Sequence, residues 1–541
     1  MMSSKVAPGE QTRQKQDSSS SGAGPKRYGL LACLILAGWA VAVLSLWPLH
    51  NTILNLDEVD YFNASRLGLL TNAVDRGSLS PIEFFEFINS KRKGVEPVYP
   101  PQYDEQKDPL LLRHYHPPFI VYVTAATTPL LNSQSDRAIR IGQFLGVLAL
   151  FCALFFAYRS LSVAPTLPGM LAVMVFGIGL SYLAFYSLSN HGWLSVWTTL
   201  TAAFLSRWLK DGDKRAGLLL CASVALTVVS LETGLVVAAS VFLTLLIWKP
   251  LAVSGIRSLR FWRYILTGTL LTALLVILFW PGSVLKASFF KTPIVIFYRS
   301  FLGQEFKRTI APFLTLLPIS LPVFAACIWL FYRQRDGLRR WGPYLTVGAV
   351  YAVVIIVVTP FGLVPQYLVP ALAPLACLVG MALDSFVSVR PGRATAAALV
   401  ALLVVSVAAT AWASKLHTML DDKEIRQDIS WLKEVIGNRE ALTNGSQIYQ
   451  HYLGPGYKIR PIELSYDEDQ IFVREKGKYR LVTQEEVAGR FVVIPSYRTK
   501  LFSREGEGIR ALLGKCRRLD RATLRVYDCS AMAPADVAGL D

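Results

Sequence analysis

The sequence alternates between long apolar runs and short polar segments. The first apolar run covers 28–49, and ten more follow between 138 and 413. Each has about the 20 residues that an α-helix needs to cross a bilayer, so the pattern predicts a polytopic α-helical membrane protein with about eleven transmembrane helices. The ten later spans are predicted at 138–158, 167–187, 192–208, 216–231, 233–249, 262–280, 310–332, 342–359, 364–387 and 395–413.

Polar segments flank the first span, which belongs to a transmembrane module predicted over 28–413. Residues 1–27 are polar and Ser-rich, and we predict a disordered cytoplasmic tail. No small-residue cleavage site follows the apolar run, so the first span is retained. A first outside loop is predicted over 50–137, and its aromatic-rich pieces, such as 81–88, are expected to lie along the membrane surface as helices.

The C-terminal segment 414–541 is mixed in character rather than apolar. Its pattern predicts a helix over 423–437 and short β-strands such as 490–495 and 524–528. This combination indicates a small α/β soluble domain.

Loop charge decides how the short apolar segment 117–131 is interpreted. If it is a surface or re-entrant segment, Lys and Arg collect on alternate loops, as the positive-inside rule requires, and if it crosses, every sign inverts. The first interpretation puts the N-terminus in the cytoplasm and 414–541 outside. The cytoplasmic loops then carry Arg159, Arg207, Lys210, Lys214, Arg215, Lys249, Arg257, Arg260, Arg263, Arg333, Arg335, Arg339, Arg340, Arg390 and Arg393.

Composition agrees with a membrane protein, since 53% of residues are hydrophobic and only 17% are charged. The net charge of +17 would suggest nucleic acid in a soluble chain, but here topology accounts for it, and no basic, aromatic-interleaved soluble domain exists to bind nucleic acid. The outside loop 281–309 breaks the charge pattern with five basic residues, Lys286, Lys291, Arg299, Lys307 and Arg308. These residues either meet an anionic ligand or reflect the tolerance of long translocated loops for charge.

The cysteines give one open question. Cys516 and Cys529 lie in the soluble C-terminal part, where an oxidising compartment would let them pair, although their spacing alone does not decide this. The other five lie in apolar spans and are interpreted as small hydrophobes. No Cys-x-x-Cys motif or His-rich cluster indicates a structural metal.

The carboxylate pair Asp57-Glu58 follows the first span almost immediately. Such a pair can act as a base, bind a cation, or be solvated. The motifs that accompany the pair favour a catalytic role over simple solvation. His116 precedes Pro117-Pro118 at the end of the same loop, and Arg137 and Arg140 open the next full span. A late span on the same face begins with Gln366-Tyr367 and carries Pro370 and Pro374, a pattern that suggests a cavity among broken helices.

In this order, the acidic pair, His-Pro-Pro, the Arg-headed span and the Tyr-Leu-x-Pro-x-x-x-Pro span resemble the GT-C glycosyltransferases. The nearest branches are in glycosyltransferase family 39, the protein O-mannosyltransferases and the bacterial aminoarabinose-to-lipid-A transferases. The resemblance covers scattered motifs over about 28–390. It implies a GT-C fold and a bacterial plasma (inner) membrane enzyme.

The resemblance also implies a mechanism. A sugar on a polyprenyl phosphate would be transferred with inversion to an acceptor hydroxyl, on a lipid, a glycan or a protein. Asp57 would be the general base and Glu58 its helper, orienting Asp57 or the acceptor. The leaving phosphate needs fixed cations. The candidates are Arg140, its rival Arg137, His116, Lys286, Lys291 and Arg299.

This chain departs from the family at two positions. Gln366 stands where relatives often have Arg, and Glu232 where they often have a basic residue. Both departures bear on which sugar the donor carries rather than on the class of enzyme. Glu232 either contacts substrate or is a solvated interface residue. Asn190 and His191 occupy an outer-face turn where relatives often carry an acidic residue, and they either contact substrate or form a plain helix turn.

The sequence leaves two alternatives open, whether a divalent cation takes part and which functional class the protein belongs to. Asp57, Glu58 and Asp60 have the oxygen ligands for a divalent cation, but the resemblance implies catalysis without a metal. A transporter or flippase of a lipid-linked substrate would show internal repeats and charges at the bilayer midplane, and the sequence shows neither. A membrane-anchored sensor or assembly protein would not need the long first loop with its acidic and Pro-Pro motifs.

Overall fold

The computed structural model describes most of the helical spans and much of the C-terminal domain. The described residues are 25–47, 56–65, 69, 117–127, 137–185, 190–248, 259–285, 311–358, 365–389, 392–417, 422–443, 446–454, 456–465, 470–475, 478–495 and 507–532.

Eleven long helices occupy the eleven predicted span positions within this described part, which confirms a polytopic helical membrane protein. Six of them are long and apolar enough to cross a bilayer, and three further helices contain shorter apolar stretches. The eleven helices are α1 (Pro25–Leu46), α4 (Arg137–Leu161), α5 (Leu167–Phe185), α6 (Asn190–Asp211), α7 (Lys214–Ser230), α8 (Gly234–Trp248), α9 (Leu259–Phe279), α11 (Ala311–Arg333), α12 (Leu338–Val358), α13 (Val369–Val389) and α14 (Arg393–His417).

Shorter helices lie between these spans. In the described part of the apolar segment 117–131, residues 117–127, the structure has a nine-residue helix, which at about 1.5 Å per residue is far shorter than the ~30 Å hydrocarbon core. This length supports the prediction that the segment does not cross. The short helices are α2 (Leu56–Ser65), α3 (Phe119–Thr127) and α10 (Gly282–Leu285), with 3₁₀ turns at Arg335–Gly337 and Pro365–Leu368.

Side-chain contacts show which helix ends meet at one end of the bundle. Arg140 at the head of α4 contacts Glu58 on α2, and the His191 ring at the head of α6 lies 4.6 Å from the Tyr367 ring in the turn before α13. We call this end of the bundle the α2 end. The tail 1–24 and the aromatic-rich piece 81–88 lie outside the described residues.

At the opposite end, a buried carboxylate joins α13 to the turn between α4 and α5. Asp384 is 7% exposed, and it accepts hydrogen bonds from Tyr158 Oη at 2.8 Å, from Ser162 Oγ at 2.5 Å, and from Thr166 N at 2.9 Å and Oγ1 at 2.6 Å. Gly169, near the start of α5, packs closely against this carboxylate, because an added Cβ there would collide with Asp384. These donors satisfy the carboxylate, so it stabilises the turn as a structural group.

The C-terminal part is the small α/β domain that the sequence predicts. A five-stranded sheet has the order β2-β1-β6-β8-β7, in which β1 pairs parallel with β2 and β6, and β8 pairs antiparallel with β6 and β7. A second sheet, β3-β4-β5, is antiparallel. Cys516 and Cys529 form a disulfide in this domain. The elements are α15 (Asp422–Ile436), β1 (Ala441–Thr443), α16 (Ser446–Leu453), β2 (Ile459–Pro461), β3 (Glu463–Ser465), β4 (Gln470–Glu475), β5 (Lys478–Leu481), α17 (Gln484–Val487), β6 (Phe491–Pro495), α18 (Glu507–Leu513), β7 (Arg517–Asp520) and β8 (Leu524–Asp528).

Candidate active site

A buried ion pair forms the centre of the α2 end. The Arg140 guanidinium donates through Nη1 to Glu58 Oε1 at 2.8 Å, and the two residues are 1% and 2% exposed. The same Nη1 also donates to Gln143 Oε1 at 3.0 Å. Neither Arg nor Glu is usually buried unless it is paired, so each of these charges holds the other in place.

Helical spacing brings these groups together. Arg140 and Gln143 are three residues apart on α4, and Glu58, Tyr61 and Phe62 have the i, i+3, i+4 spacing of one helix face on α2. Sequence analysis did not single out Gln143. Its only local signal is its place one turn after Arg140.

A second polar contact fixes α2 against α6. Asn190 Nδ2 donates to Tyr61 Oη at 3.1 Å, and both residues are buried. Asn190 Oδ1 has no hydrogen-bond partner in the described part of the chain. Asn190 thus contacts the helix that carries the acidic pair, and its contact with substrate stays a prediction.

The described side chains of α2, at 58, 59 and 61–65, are buried rather than solvated. The helix packs on α3 and on α16 of the C-terminal domain. Phe62 is fully buried and meets the His451 ring edge-on, with ring centroids 5.4 Å apart. Residues 63–65, Asn-Ala-Ser, match the N-glycosylation sequon, whose acceptor is Asn63. Asn63 is 8% exposed inside this helix, so the sequon is not accessible in the folded protein.

The turn before α8 contributes Glu232. This residue is 6% exposed, so the interpretation as a solvated interface residue was wrong. Its neighbour Thr233 shares a hydrogen bond with Tyr351 Oη at 2.9 Å, which joins this turn to α12. Gln366, in the 3₁₀ turn before α13, is half-buried, and its Oε1 has no partner among the described residues.

Several predicted site residues have no described side chain. Asp57 and Asp60 lie in α2 and Arg137 is the first residue of α4, but their side chains fall outside the described part. His116, Lys286, Lys291 and Arg299 lie wholly outside the described residues. Their roles, and the binding of a divalent cation by the acidic residues of α2, stay predictions.

The described geometry thus gathers Glu58, Arg140, Asn190, His191 and Tyr367 at one end of a helix bundle, under an α/β domain. Arg140 is neutralised by Glu58, so its predicted contact with a donor phosphate stays a prediction. The arrangement presents a rigidly held helix whose first turn contains a further carboxylic acid, Asp57.

The fold of this bundle agrees with the fold that the resemblance to the GT-C glycosyltransferases implies. The chain is similar to ArnT from Cupriavidus metallidurans in the apo state, with 12% identity and a TM-score of 0.53 over 93% of this chain and 98% of that one. Two structures at a TM-score of 0.49 are ArnT bound to undecaprenyl phosphate, at 13% identity over 94% of this chain and 99% of that one, and the oligosaccharyltransferase AglB from Archaeoglobus fulgidus, at 10% identity over 94% and 75%. No family model and no curated protein sequence matches the chain.

Proposed function

We propose that this protein is a membrane glycosyltransferase that moves a sugar from a polyprenyl-phosphate donor to an acceptor hydroxyl. The observation that carries the proposal is the buried Glu58–Arg140 pair, which fixes the helix of Asp57 to the head of α4 within a GT-C fold. In the described part of the transmembrane module the buried charged residues lie on the short helix α2, in a turn, or near the ends of spans, at Glu58, Arg140, Glu232 and Asp384. This placement fits an enzyme better than a transporter with ionisable groups at the bilayer midplane.

In the proposed reaction, Asp57 accepts the proton of the acceptor hydroxyl. The hydroxyl oxygen attacks the anomeric carbon from the face opposite the phosphate, so a new carbon–oxygen bond forms with inversion. The bond from the anomeric carbon to the phosphate oxygen breaks, and polyprenyl monophosphate leaves with the electron pair. A carboxylate held within hydrogen-bond reach of the hydroxyl is what this step needs.

Glu58 acts in this scheme by orienting α2 through Arg140. The charge that grows on the leaving phosphate needs cations. Since Glu58 neutralises Arg140, we assign most of that role to Arg137, His116, Lys286, Lys291 and Arg299. Glu232, His191, Gln366 and Tyr367 are proposed to contact the sugar or the acceptor.

A transfer assay tests the proposal. Purified protein in lipid nanodiscs is given polyprenyl-phosphate donors with labelled sugars, together with an extract of cell-envelope lipids, glycans and proteins as acceptors. We expect label to appear in the acceptor fraction in equal amount to the polyprenyl phosphate released, with or without a chelator, because no metal is proposed. Donor that stays intact with every sugar tried would overturn the proposal.

An apolar groove on α7, α8 and α9 supports a lipid-linked donor. Its volume is about 840 Å³, and it runs from Lys214 and Trp208 near one end of the spans to Ser283 at the α2 end. Between these ends its lining is almost entirely apolar. ArnT has been solved with undecaprenyl phosphate bound. We propose that the groove holds the polyprenyl chain of the donor.

Filling the groove should weaken the binding of long-chain donors. A Cβ added at Gly268 meets only Cys221 Sγ, at 3.7 Å, so Gly268→Phe places a ring in the groove without a backbone clash. We expect the KM for a long-chain donor to rise about tenfold, as the loss of roughly two methylene groups of burial predicts at ~0.8 kcal/mol each. A donor with a two-isoprene chain should be affected much less.

The matched control is Gly29→Phe, which adds the same ring to an exposed position of α1 with nothing within 4 Å. It should leave both KM values unchanged. Equal KM values for long-chain donor in Gly268→Phe and the unchanged protein would show that the chain lies elsewhere.

The site is proposed to face the outside of a bacterial plasma (inner) membrane, with the N-terminus in the cytoplasm. The Cys516–Cys529 disulfide supports this orientation, because disulfides persist mainly in oxidising compartments. The alternation of Lys and Arg between loops points the same way.

Cysteine labelling tests this orientation. A membrane-impermeant maleimide applied to intact spheroplasts should label Glu485→Cys, an exposed position of the C-terminal domain. The control Asp211→Cys, exposed at the opposite end of α6, should be labelled only after permeabilisation. The reverse pattern would invert the proposed topology.

A further inference from the structure

Three contacts from three different parts of the chain hold α2. Glu58 binds Arg140 on α4, and Tyr61 accepts a hydrogen bond from Asn190 on α6. The third contact is the only one of these that comes from the C-terminal domain: the Phe62 and His451 rings meet at 88°, with centroids 5.4 Å apart. The first two contacts join α2 to the helix bundle, and the third joins it to the C-terminal domain.

His451 belongs to a helix that is firmly built into its domain. On α16, Ile448 and Tyr449 are 2% and 1% exposed, and they lie in one hydrophobic cluster with Ile425 and Leu432 of α15. The helix therefore moves with the domain, and the His451 ring carries the position of the domain to α2.

A line of ring contacts continues behind His451. Its ring meets the Tyr452 ring at 88° and 4.8 Å, and the Arg426 guanidinium of α15 lies 5.6 Å from the centre of the Tyr452 ring. Edge-to-face rings and cation–π contacts are directional as well as attractive. The edge-on contact between His451 and Phe62 is thus oriented by neighbouring side chains of the C-terminal domain.

We propose that His451 is a positioning residue for the transfer reaction: through Phe62 it holds α2, and with it Asp57, at the angle that the reaction needs. This inference rests on the proposed function. Phe62 and Asp57 are five residues apart on one short helix, so a tilt at Phe62 displaces Asp57. Misplacing a catalytic group by about 1 Å can lower a rate by about 10²-fold.

The kinetic test compares two substitutions at position 451. His451→Ala removes the ring, and we expect kcat to fall about tenfold with the donor KM unchanged, since the proposed donor groove lies on α7 to α9. His451→Phe keeps an edge-on ring and should restore most of kcat. Equal loss in both variants, or no loss in His451→Ala, would overturn the inference.

The matched control is Arg521→Ala, which removes a guanidinium 4.7 Å from the Trp431 ring in the same domain but away from α2. It should leave kcat unchanged. A loss equal to that of His451→Ala would mean that any weakening of the domain lowers activity, and the assignment to His451 would fail.

A second readout does not depend on activity. Asn63→Cys puts a thiol on α2 at a position that is 8% exposed, and Ser65→Cys, at 5%, serves if the first variant folds poorly. Maleimide labelling of this introduced thiol, measured above the background of the native cysteines, should be slow when position 451 is His. It should be faster when the variant is combined with His451→Ala, and slow again when it is combined with His451→Phe. Labelling that ignores position 451 would overturn the positioning role. If labelling behaves as expected but no sugar is transferred, the proposed function fails and the contact stands.

Discussion

Replacing Asp57 by Asn is expected to lower the rate of sugar transfer by about 10²- to 10⁴-fold, the usual contribution of a positioned general base. The amide has nearly the shape of the carboxylate but cannot accept the proton of the acceptor hydroxyl. The measurement is kcat in the nanodisc assay, with protein amount and apparent melting temperature recorded beside it. We expect the donor KM to change little, because the groove that we propose for the donor chain lies on α7 to α9.

The matched control for this change is Glu485→Gln, which converts an exposed carboxylate on the same side of the bundle to an amide. It should keep full activity. Full activity in Asp57→Asn, at normal protein amount, would remove Asp57 from the mechanism and leave the glycosyltransferase proposal without its base.

Breaking the Glu58–Arg140 pair is the second large effect. Arg140→Met removes the guanidinium that donates to Glu58, which is 2% exposed, and Glu58→Leu removes the carboxylate that accepts from Arg140. Removing one partner of a buried pair typically costs about 3–5 kcal/mol of stability. Each single variant should therefore show a large fall in the apparent melting temperature. In contrast, Arg518→Met breaks an exposed pair with Asp520 and should cost below about 1 kcal/mol.

The double variant Glu58→Leu/Arg140→Met separates two roles of Arg140. Apolar residues of similar volume often replace a buried pair at little cost, so stability should largely return. If Arg140 only positions α2, activity should return in part with an unchanged donor KM. If it binds the donor phosphate, the double variant should stay inactive or need much more donor. A double variant no more stable than the singles would contradict the pairing itself.

The spans could be predicted from the sequence because their signal is local and repeated. An apolar run of span length has one physical interpretation, and the predicted 167–187 and 364–387 correspond to α5 and to α13 with the preceding 3₁₀ turn. The strand at 524–528 was predicted at its observed bounds for the same reason, since alternation and turns mark it locally. That 117–131 does not cross rests on its Pro-Pro start and on loop charge, and it stays a prediction.

The inside of the site could be predicted only in part. Asp57, Glu58 and Arg140 were found as members of an ordered set of motifs, but their pairing joins residues 82 positions apart and has no local signature. The helix α2 has a polar sequence, Leu-Asp-Glu-Val-Asp-Tyr-Phe-Asn-Ala-Ser, that suggests a surface segment. Its described side chains are buried because Arg140, Asn190 and the C-terminal domain supply their partners, and nothing within 56–65 records those partners.

The burial of α2 under α16 has a consequence for how the protein is made. The chain is synthesised from its N-terminus, so Phe62 leaves the ribosome well before His451. At about 5–20 residues per second, the interval lasts roughly 20–80 s. Over that time α2 lacks its contact with α16, which forms only when the C-terminal domain has folded. The order of synthesis thus delays the complete candidate site until that domain has been made.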